Sequence, residues 1–275
     1  MGAGPPANAS ARDRASRLGR FAAAVMAGVI LVVAGYELAI VVPRAVSLRE
    51  PLGVDFHQYL DHARRFLETG SFYLEHQLHG PYVIELGDPL YPPAILYLLV
   101  PFLVIPQILW WVTPLGLMGA LVMTSRPKPW AWPVLALIVA DPRTIEVVIY
   151  GNPAMWIGAA VAGALLWSWP GALVLLKPSL APFALIGIRS RGWWLALAVG
   201  VVLSAPLVGL YLQFVRVLPD SNGSWSYSLP DVPFVAIPLV AWLALTRTPR
   251  LRLARRSRPE VALGDPSTHA GSGLS

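Results

Sequence analysis

An aspartate at position 55, followed closely by a tyrosine and two histidines, is the strongest candidate for chemistry in this sequence. Helical spacing places Asp55, Tyr59 and His62 toward one side of their segment, and His57 lies nearby. An aspartate in this setting can take the proton of a hydroxyl group, which is the role of a general base. Position 55 also directly precedes an apolar-periodic run, where aspartate commonly caps a helix. The spacing is compatible with both roles, and one residue can fill both.

Histidines and carboxylates crowd into residues 43–90, between the first two apolar runs. This stretch holds seven of the 15 acidic residues and four of the five histidines, namely His57, His62, His76 and His79. The spacing of His76 and His79 suits a shared metal ion, but no carboxylate pattern completes a coordination sphere. Histidines in a wet loop are more often solvated, and we therefore predict no metal site.

Two isolated cations are candidates for binding an anion. Arg143 follows the Asp141-Pro142 break, and its guanidinium can either hold a phosphate or anchor the chain at a membrane interface. Lys177 lies within the apolar run 171–188. A lysine there is costly unless it faces a polar cavity, so its position favours a functional role. Pro178 predicts a helix break beside it.

The segment after Asp55 has the periodicity of an amphipathic helix. Apolar residues recur at helical spacing at Phe56, Tyr59, Leu60, Ala63, Phe66 and Leu67. Polar residues occupy the other face, and Gly70 can end the helix in the left-handed conformation. A short helix of this kind between two apolar runs is expected to lie flat in the membrane interface.

The composition is that of a polytopic membrane protein, because 56% of the 275 residues are apolar, 13% are charged and the mean hydropathy is +0.58. Soluble domains usually contain about 45–50% apolar and about 25% charged residues, which excludes an ordinary soluble enzyme and a disordered chain. The sequence contains no cysteine, which excludes disulfides and thiolate chemistry. Its 27 prolines indicate interrupted helices.

The net charge of +6 is explained by membrane topology rather than by nucleic acid. Ten of the 21 basic residues flank the outermost apolar runs, where basic residues hold a segment in the cytoplasm. No aromatic residues alternate with them, as a base-stacking surface would require. We therefore predict cytoplasmic termini, an outer loop at residues 43–90 and no nucleic-acid partner.

The apolar stretches predict an all-α transmembrane bundle of six to eight spans. They are residues 21–42, 90–123, 130–150, 154–169, 171–188, 193–215 and 232–246. Residues 90–123 and 171–188 contain prolines and are compatible with either full crossings or re-entrant hairpins. The bundle then covers residues 21–246, between a basic, disordered cytoplasmic N-terminus at 1–20 and a similar tail at 247–275.

The order of motifs resembles one family. Asp55-Phe56-x-x-Tyr59 is followed by Gly70-x-x-Tyr73, Tyr91-Pro92-Pro93, Pro101, a Gly151-Asn152 turn and Lys177-Pro178. Over residues 20–190 this order resembles the GT-C polytopic glycosyltransferases, most closely glycosyltransferase family 87, which includes polyprenyl-phosphate-mannose-dependent mannosyltransferases. The chain departs from the usual Gly-Gln-x-Asn motif, because it has Gly151-Asn152-Pro153-Ala154 there.

The resemblance implies a site and a reaction. Asp55 falls on the family's base for the acceptor hydroxyl, Tyr91 on the cavity wall, and Lys177 near the donor phosphate. The full set of candidate substrate-binding residues is His57, Tyr59, His62, Tyr91, Arg143, Asn152 and Lys177. The reaction implied is inverting transfer of a hexose, mannose in the first instance, from a polyprenyl-phosphate donor. The acceptor is a glycolipid or envelope glycan on the outer face, and no cofactor is expected.

Two other functions stay open from the sequence. A non-catalytic subunit of an envelope-synthesis complex is compatible with the short chain and with the altered turn at Asn152. A lipid-linked sugar flippase is compatible with broken helices around a cavity, although many transporters show internal repeats that are not evident here. All three functions place the chain in the plasma membrane as a multi-pass protein.

Overall fold

Helices account for most of the structure, a computed structural model in which residues 7–47, 52–85, 87–222 and 229–245 are described. The α-helices are α1 (Ala7–Ser47), α2 (Val54–Thr69), α3 (Leu96–Leu99), α4 (Leu109–Ser125), α5 (Ala131–Ala140), α6 (Pro142–Ile149), α7 (Ala154–Trp167), α8 (Ala181–Ala184), α9 (Arg191–Ser204), α10 (Val208–Asp220) and α11 (Val232–Leu243). Short 3₁₀ helices cover Glu75–Leu78, Pro93–Ile95, Val100–Leu103, Trp169–Leu176, Pro178–Leu180, Ala205–Leu207 and Leu229–Asp231. The short strands are β1 (Tyr82–Val83) and β2 (Ser221–Asn222). This predominance of helix agrees with the predicted all-α class.

The first helix begins earlier than the sequence predicts. Residues 1–20 are expected to be disordered, yet α1 starts at Ala7 and continues to Ser47. Alanine and arginine are frequent in residues 7–20 and have high helix propensity, which extends the apolar helix toward the N-terminus. The predicted tail at 247–275 lies outside the described residues.

Two helical segments of the described chain are long and apolar enough to cross a membrane, Asp13–Tyr36 within α1 and Arg191–Asp220 across α9 and α10. A third crossing results if α6 and α7 form one broken span, in which the chain bends by 104° between the two helices. Helices α4, α5 and α11 are apolar but shorter, within a range of 10–17 residues. The predicted apolar runs 130–150 and 171–188 are therefore divided into shorter pieces, at Pro142 and Pro178.

Helix α7 forms the centre of the bundle. It packs against α4, α11 and the 3₁₀ helix Trp169–Leu176, and most of its residues are buried. Its small residues permit this close approach, because a Cβ at Gly158 would lie 2.9 Å from the Met118 sulfur and 3.2 Å from the Phe234 ring. A helix that is apolar all round is expected to be buried on every side. This packing holds in place the turn at residues 150–153 that precedes α7.

The chain is broken at Lys177, as the sequence predicts. The 3₁₀ helix Trp169–Leu176 leads up to the lysine, and Pro178–Leu180 and α8 follow it. Proline disfavours helical geometry at the preceding residue, and Lys177 is not helical. The ammonium is therefore carried at a break between two short helices rather than by a continuous helix.

Elements that are predicted on the same membrane face contact one another. Strand β1 of the first predicted outer loop pairs in parallel with β2, and the Tyr82 hydroxyl donates to the Val217 carbonyl over 3.1 Å. Where α4 and α11 end, the Lys128 amide donates to the Ala244 carbonyl over 2.7 Å. Helices α4 and α11 pack together. Both therefore run from the end of the bundle near α2 to the end where Lys128 contacts Ala244.

The turn between α6 and α7 requires glycine at position 151. Gly151 has a φ of +71°, a conformation that residues with a side chain rarely adopt. An added Cβ would lie 2.8 Å from a Trp111 ring carbon and 2.9 Å from the Phe56 Cβ. Both the backbone and the packing therefore exclude a larger residue.

We expect Gly151→Ala to lower the free energy of unfolding by about 1–3 kcal/mol, because the added methyl group overpacks this turn. Gly116→Ala is the matched control, since Gly116 lies inside α4 and a Cβ there meets no atom within 4 Å. Alanine is favoured over glycine in a helix, so the control should be at least as stable as wild type. Denaturant unfolding in detergent micelles measures both changes. Equal stability of the two variants would contradict the packing described for this turn.

Candidate active site

The N-terminus of α2 docks on the C-terminus of α6. The Gly53 amide donates to the Ile149 carbonyl over 2.8 Å, and the Phe56 amide donates to the Tyr150 carbonyl over 3.2 Å. The first amides and the last carbonyls of a helix have no partner within it, so each helix end satisfies the other. This contact fixes the helix that carries Asp55 against the turn between α6 and α7.

Two tryptophans of α4 complete the support of this turn. The Trp110 indole donates to the Gly151 carbonyl over 2.7 Å, and the Trp111 indole donates to the Val148 carbonyl over 2.8 Å. The Phe56 ring packs against both indoles. The sequence analysis missed these two residues, because nothing in an apolar helix indicates that another helix ends beside it.

Asp55 lies in the first turn of α2 and does not cap it. The helix begins at Val54, and its N-cap is Gly53 in the left-handed conformation, without a side-chain cap. The capping alternative is therefore wrong, because the helix starts one residue earlier and leaves the Asp55 carboxylate available to the neighbouring turn. The predicted C-cap is confirmed, since Gly70 is left-handed and its amide donates to the Phe66 carbonyl.

A chain of hydrogen bonds begins at Asp55. The Asn152 side-chain amide donates to the Asp55 carboxylate over 2.7 Å, across 97 residues of sequence. The Asn152 side-chain oxygen accepts from the Ala154 amide over 2.9 Å and from the Tyr91 hydroxyl over 3.3 Å. Because a backbone amide can only donate, it fixes which end of the Asn152 side chain is the oxygen. The nitrogen end then faces the carboxylate, where a donor is needed.

Lys177 continues this chain into the interior. Its ammonium donates to the Tyr91 hydroxyl over 3.0 Å and pairs with the Asp231 carboxylate. The Lys177 side chain is 6% exposed and the Asp231 side chain is 11% exposed. A buried ion without a partner costs several kcal/mol, so the apolar surroundings require such a pair. The Tyr91 ring is itself held edge-on against Tyr59, with 5.3 Å between the ring centroids.

We call Asp55, Asn152, Tyr91, Lys177 and Asp231 the polar network. Asp55 and Asn152 are half-buried, whereas the other three members are buried. A carboxylate at the accessible end can take a proton from a bound hydroxyl, and an ammonium can hold an anion. Three hydrogen bonds connect these two charges. The network therefore combines a carboxylate and an ammonium in one connected structure.

His62 ties the first predicted outer loop to α2. Its Nε2 donates to the Gly87 carbonyl over 2.7 Å, and its Nδ1 accepts from the Arg65 guanidinium over 3.2 Å, because a guanidinium only donates. Burial lowers the pKa of the His62 imidazole, against a weaker opposing effect of the bond to Gly87. Both ring nitrogens are occupied in the neutral form, which favours a structural role over substrate binding.

His57 and Arg143 make local contacts at the surface. The His57 ring is exposed, and its Nδ1 bonds the Gly53 carbonyl over 2.8 Å, one turn earlier in the chain. The Arg143 guanidinium is exposed and donates to the Glu146 carboxylate over 2.8 Å. For Arg143 this contact agrees better with a surface anchor than with a phosphate ligand. Of the predicted residues, the structure thus brings together those at positions 55, 59, 91, 152 and 177.

Asp231 is the member of the network that the sequence analysis missed. A signal was available, because a buried lysine requires a carboxylate and Asp231 directly precedes the last apolar run. This is the N-cap position of α11, yet no side-chain cap forms. Pro233 removes one of the amides that such a cap uses, and the carboxylate pairs with Lys177 instead.

Within the described residues, no group of three or more metal-ligating side chains comes together. The remaining histidines of the first predicted outer loop have other partners. His76 contacts the buried Asp88 carboxylate at 3.1 Å, and the His79 ring bonds the Glu75 carbonyl over 2.7 Å. These contacts hold the loop rather than form a shared site.

Comparisons of this chain with protein-family models, with curated proteins and with solved structures found no match. The functional interpretation therefore depends on the geometry of the polar network and on the sequence motifs.

We expect the protein to lose stability as the pH falls below about 6.5, the ordinary pKa of histidine, and His62→Gln to weaken this dependence. The pKa of His62 is lower in the folded state, so protonation favours the unfolded chain. Neutral His62 makes its full contribution to stability above the pKa of the unfolded state. This contribution is lost as the pH falls toward the lower pKa of the folded state. Unfolding free energies of wild type and variant across this pH range measure the effect.

His57→Gln is the matched control for this prediction, because it makes the same change on the same helix at an exposed position. It should keep the pH dependence of wild type. Parallel pH profiles for wild type and His62→Gln would show that His62 does not hold the loop in its neutral form.

Proposed function

We propose that the protein is a GT-C-type glycosyltransferase that moves a hexose, mannose in the first instance, from a polyprenyl-phosphate donor. The acceptor is a glycolipid or envelope glycan on the outer face of the plasma membrane. The observation that supports this most strongly is the polar network, in which a half-exposed carboxylate and a buried ammonium are joined through Asn152 and Tyr91. The reaction needs these two charges, a base for the incoming hydroxyl and a cation for the departing phosphate.

Asp55 is the base in this mechanism. It takes the proton of the acceptor hydroxyl while the hydroxyl oxygen attacks the anomeric carbon from the face opposite the phosphate. The bond from the anomeric carbon to the phosphate oxygen breaks, its electron pair stays on the phosphate, and the configuration inverts. The Asn152 amide orients the carboxylate for this step, because its donor end faces Asp55.

Lys177 stabilises the negative charge that grows on the leaving phosphate. An ammonium in apolar surroundings interacts with an anion more strongly than it would in water. Tyr91 holds this ammonium in place through its hydroxyl and through its ring, whose centroid lies 5.1 Å from the Lys177 nitrogen. The product is a lipid monophosphate, so the reaction requires neither a nucleotide nor a cofactor.

An apolar groove beside the network suits the polyprenyl tail. Its volume is about 480 Å³, and Pro92 and Leu176 line it together with residues of α9. These two residues are the chain neighbours of Tyr91 and Lys177. A tail in this groove would lie beside the two chain segments that carry Tyr91 and Lys177.

The proposal includes six to eight membrane segments and cytoplasmic termini. The bent pair of α6 and α7 and the short helices on either side of Lys177 are then partial crossings around a wet cavity. The pairing of β1 with β2 supports a common face for the predicted outer loop 43–90 and the connection between the apolar runs 193–215 and 232–246. The bridge between Pro127 and Leu245 likewise supports a common face for the connection after residue 123 and the end of the last apolar run, which precedes the predicted cytoplasmic tail.

The test compares wild type with Asp55→Asn in lipid nanodiscs. The sample is incubated with radiolabelled polyprenyl-phosphate-mannose and a membrane-lipid extract, and label should move to a new glycolipid with wild type. Loss of the general base should lower the rate about 10²–10⁴-fold. The variant should stay folded, because the asparagine oxygen still accepts the hydrogen bond from Asn152.

Asp61→Asn is the matched control, since it makes the same chemical change on the same helix. Asp61 is exposed and pairs with Arg64 at 2.7 Å. This variant should transfer label nearly as fast as wild type. Near-normal transfer by Asp55→Asn would contradict the assignment of the base. Donor binding without transfer by wild type would favour the non-catalytic subunit.

A further inference from the structure

The Lys177–Asp231 pair neutralises the charge to which the donor phosphate is expected to bind. The ammonium already has a carboxylate and a hydroxyl as partners, and both members of the ion pair are buried. A second anion beside this pair would meet repulsion from the Asp231 carboxylate. A phosphate that binds at Lys177 therefore competes with this carboxylate for the ammonium.

We propose that Asp231 is an internal counter-ion, which the phosphodiester of the lipid donor displaces from Lys177. This inference rests on the proposed function and describes how its donor is bound. Before the donor binds, the carboxylate stabilises the buried ammonium. When the donor binds, the phosphodiester takes this place and Asp231 turns away from Lys177. The ammonium thus has an anionic partner in both states, which avoids the cost of an unpaired buried charge.

The position of Asp231 suits a partner that leaves. It ends the 3₁₀ helix Leu229–Asp231 and directly precedes α11, so it lies at a helix end. Its side chain makes no capping bond to α11, and its departure from Lys177 therefore does not uncap that helix. Lys177 also bonds the buried Tyr91, so the carboxylate is the member of the pair that moves at the lower cost.

Few other charged or titratable groups face this pair from the described elements. Tyr91 contacts the lysine, and Asp55 belongs to the same network through Asn152. Helix α6, which packs against Leu229–Asp231, carries Arg143 and Glu146, and these pair with each other. Tyr150 follows α6, and α9 begins with Arg191, whereas α4, α5, α7, α8 and α11 carry no titratable side chain. The experiment must therefore distinguish the effect of Asp231 on binding from the effect of Asp55.

The experiment measures binding of methyl farnesyl phosphate to the full chain in nanodiscs. This probe is a phosphodiester like the donor, so it carries one negative charge and has no sugar to transfer. Farnesol is the uncharged control ligand. Affinities are measured by calorimetry at pH 8 for wild type, Asp231→Asn, Asp231→Glu and Asp55→Asn.

Wild type should bind the probe more tightly than farnesol, because only a charged ligand can take the place of the carboxylate at Lys177. Asp231→Asn should bind the probe about tenfold more tightly than wild type at pH 8, since one charged hydrogen bond no longer has to be replaced. Asp231→Glu and Asp55→Asn both keep a carboxylate beside Lys177 and should bind the probe about as tightly as wild type. Affinity for farnesol should be the same in all of them.

Two results would overturn the exchange. One is binding to Asp231→Asn that is no tighter than binding to wild type at pH 8, which would make Asp231 a residue that only positions Lys177. The other is wild type that binds methyl farnesyl phosphate no more tightly than farnesol, and this measurement decides the matter even if Asp231→Asn does not fold. Because the probe carries no sugar, the exchange can be observed when glycosyl transfer fails, and the two proposals are tested separately.

Discussion

A charge inside an apolar bundle must be paired, and this constraint organises the site. Lys177 lies at a proline break in the interior, and its partners, Tyr91 and Asp231, are 86 and 54 residues away in sequence. Removal of one partner from a buried pair typically costs about 3–5 kcal/mol. The pair therefore stabilises one arrangement of three distant segments. The same arrangement places a cation within three hydrogen bonds of the half-exposed Asp55.

A second constraint comes from backbone groups at helix ends. Helices α6 and α7 are separated by a tight turn in apolar surroundings, where exposed carbonyls have no water to bond. The first amides of α2 and two indoles of α4 satisfy these carbonyls. This is the physical reason why α2, and with it Asp55, lies beside Asn152. The structural solution for a broken helix thereby creates the geometry of the candidate active site.

The sequence predicted features that depend on local interactions. The apolar period of α2, its end at Gly70 and the break before Pro178 each follow from residues within one or two turns. Asp55, Tyr91, Asn152 and Lys177 were each identified singly, but their connection depends on contacts across 61 to 97 residues, which no local pattern contains. The partner Asp231 follows from the requirement for a counter-ion, yet tertiary packing decides which carboxylate meets it. The hydropathy pattern likewise predicts apolar runs that continue across prolines, whereas the structure divides these runs into shorter helices.

The most direct test of the polar network is a double-mutant cycle between Asn152→Ala and Lys177→Met, read as free energies of unfolding. Both side chains bond the Tyr91 hydroxyl, so each change should alter the effect of the other. A connected network predicts a coupling energy of about 0.5–3 kcal/mol. Effects that add to within about 0.3–0.5 kcal/mol would show that the two residues act independently, and would contradict a network that joins Asp55 to the buried ion pair.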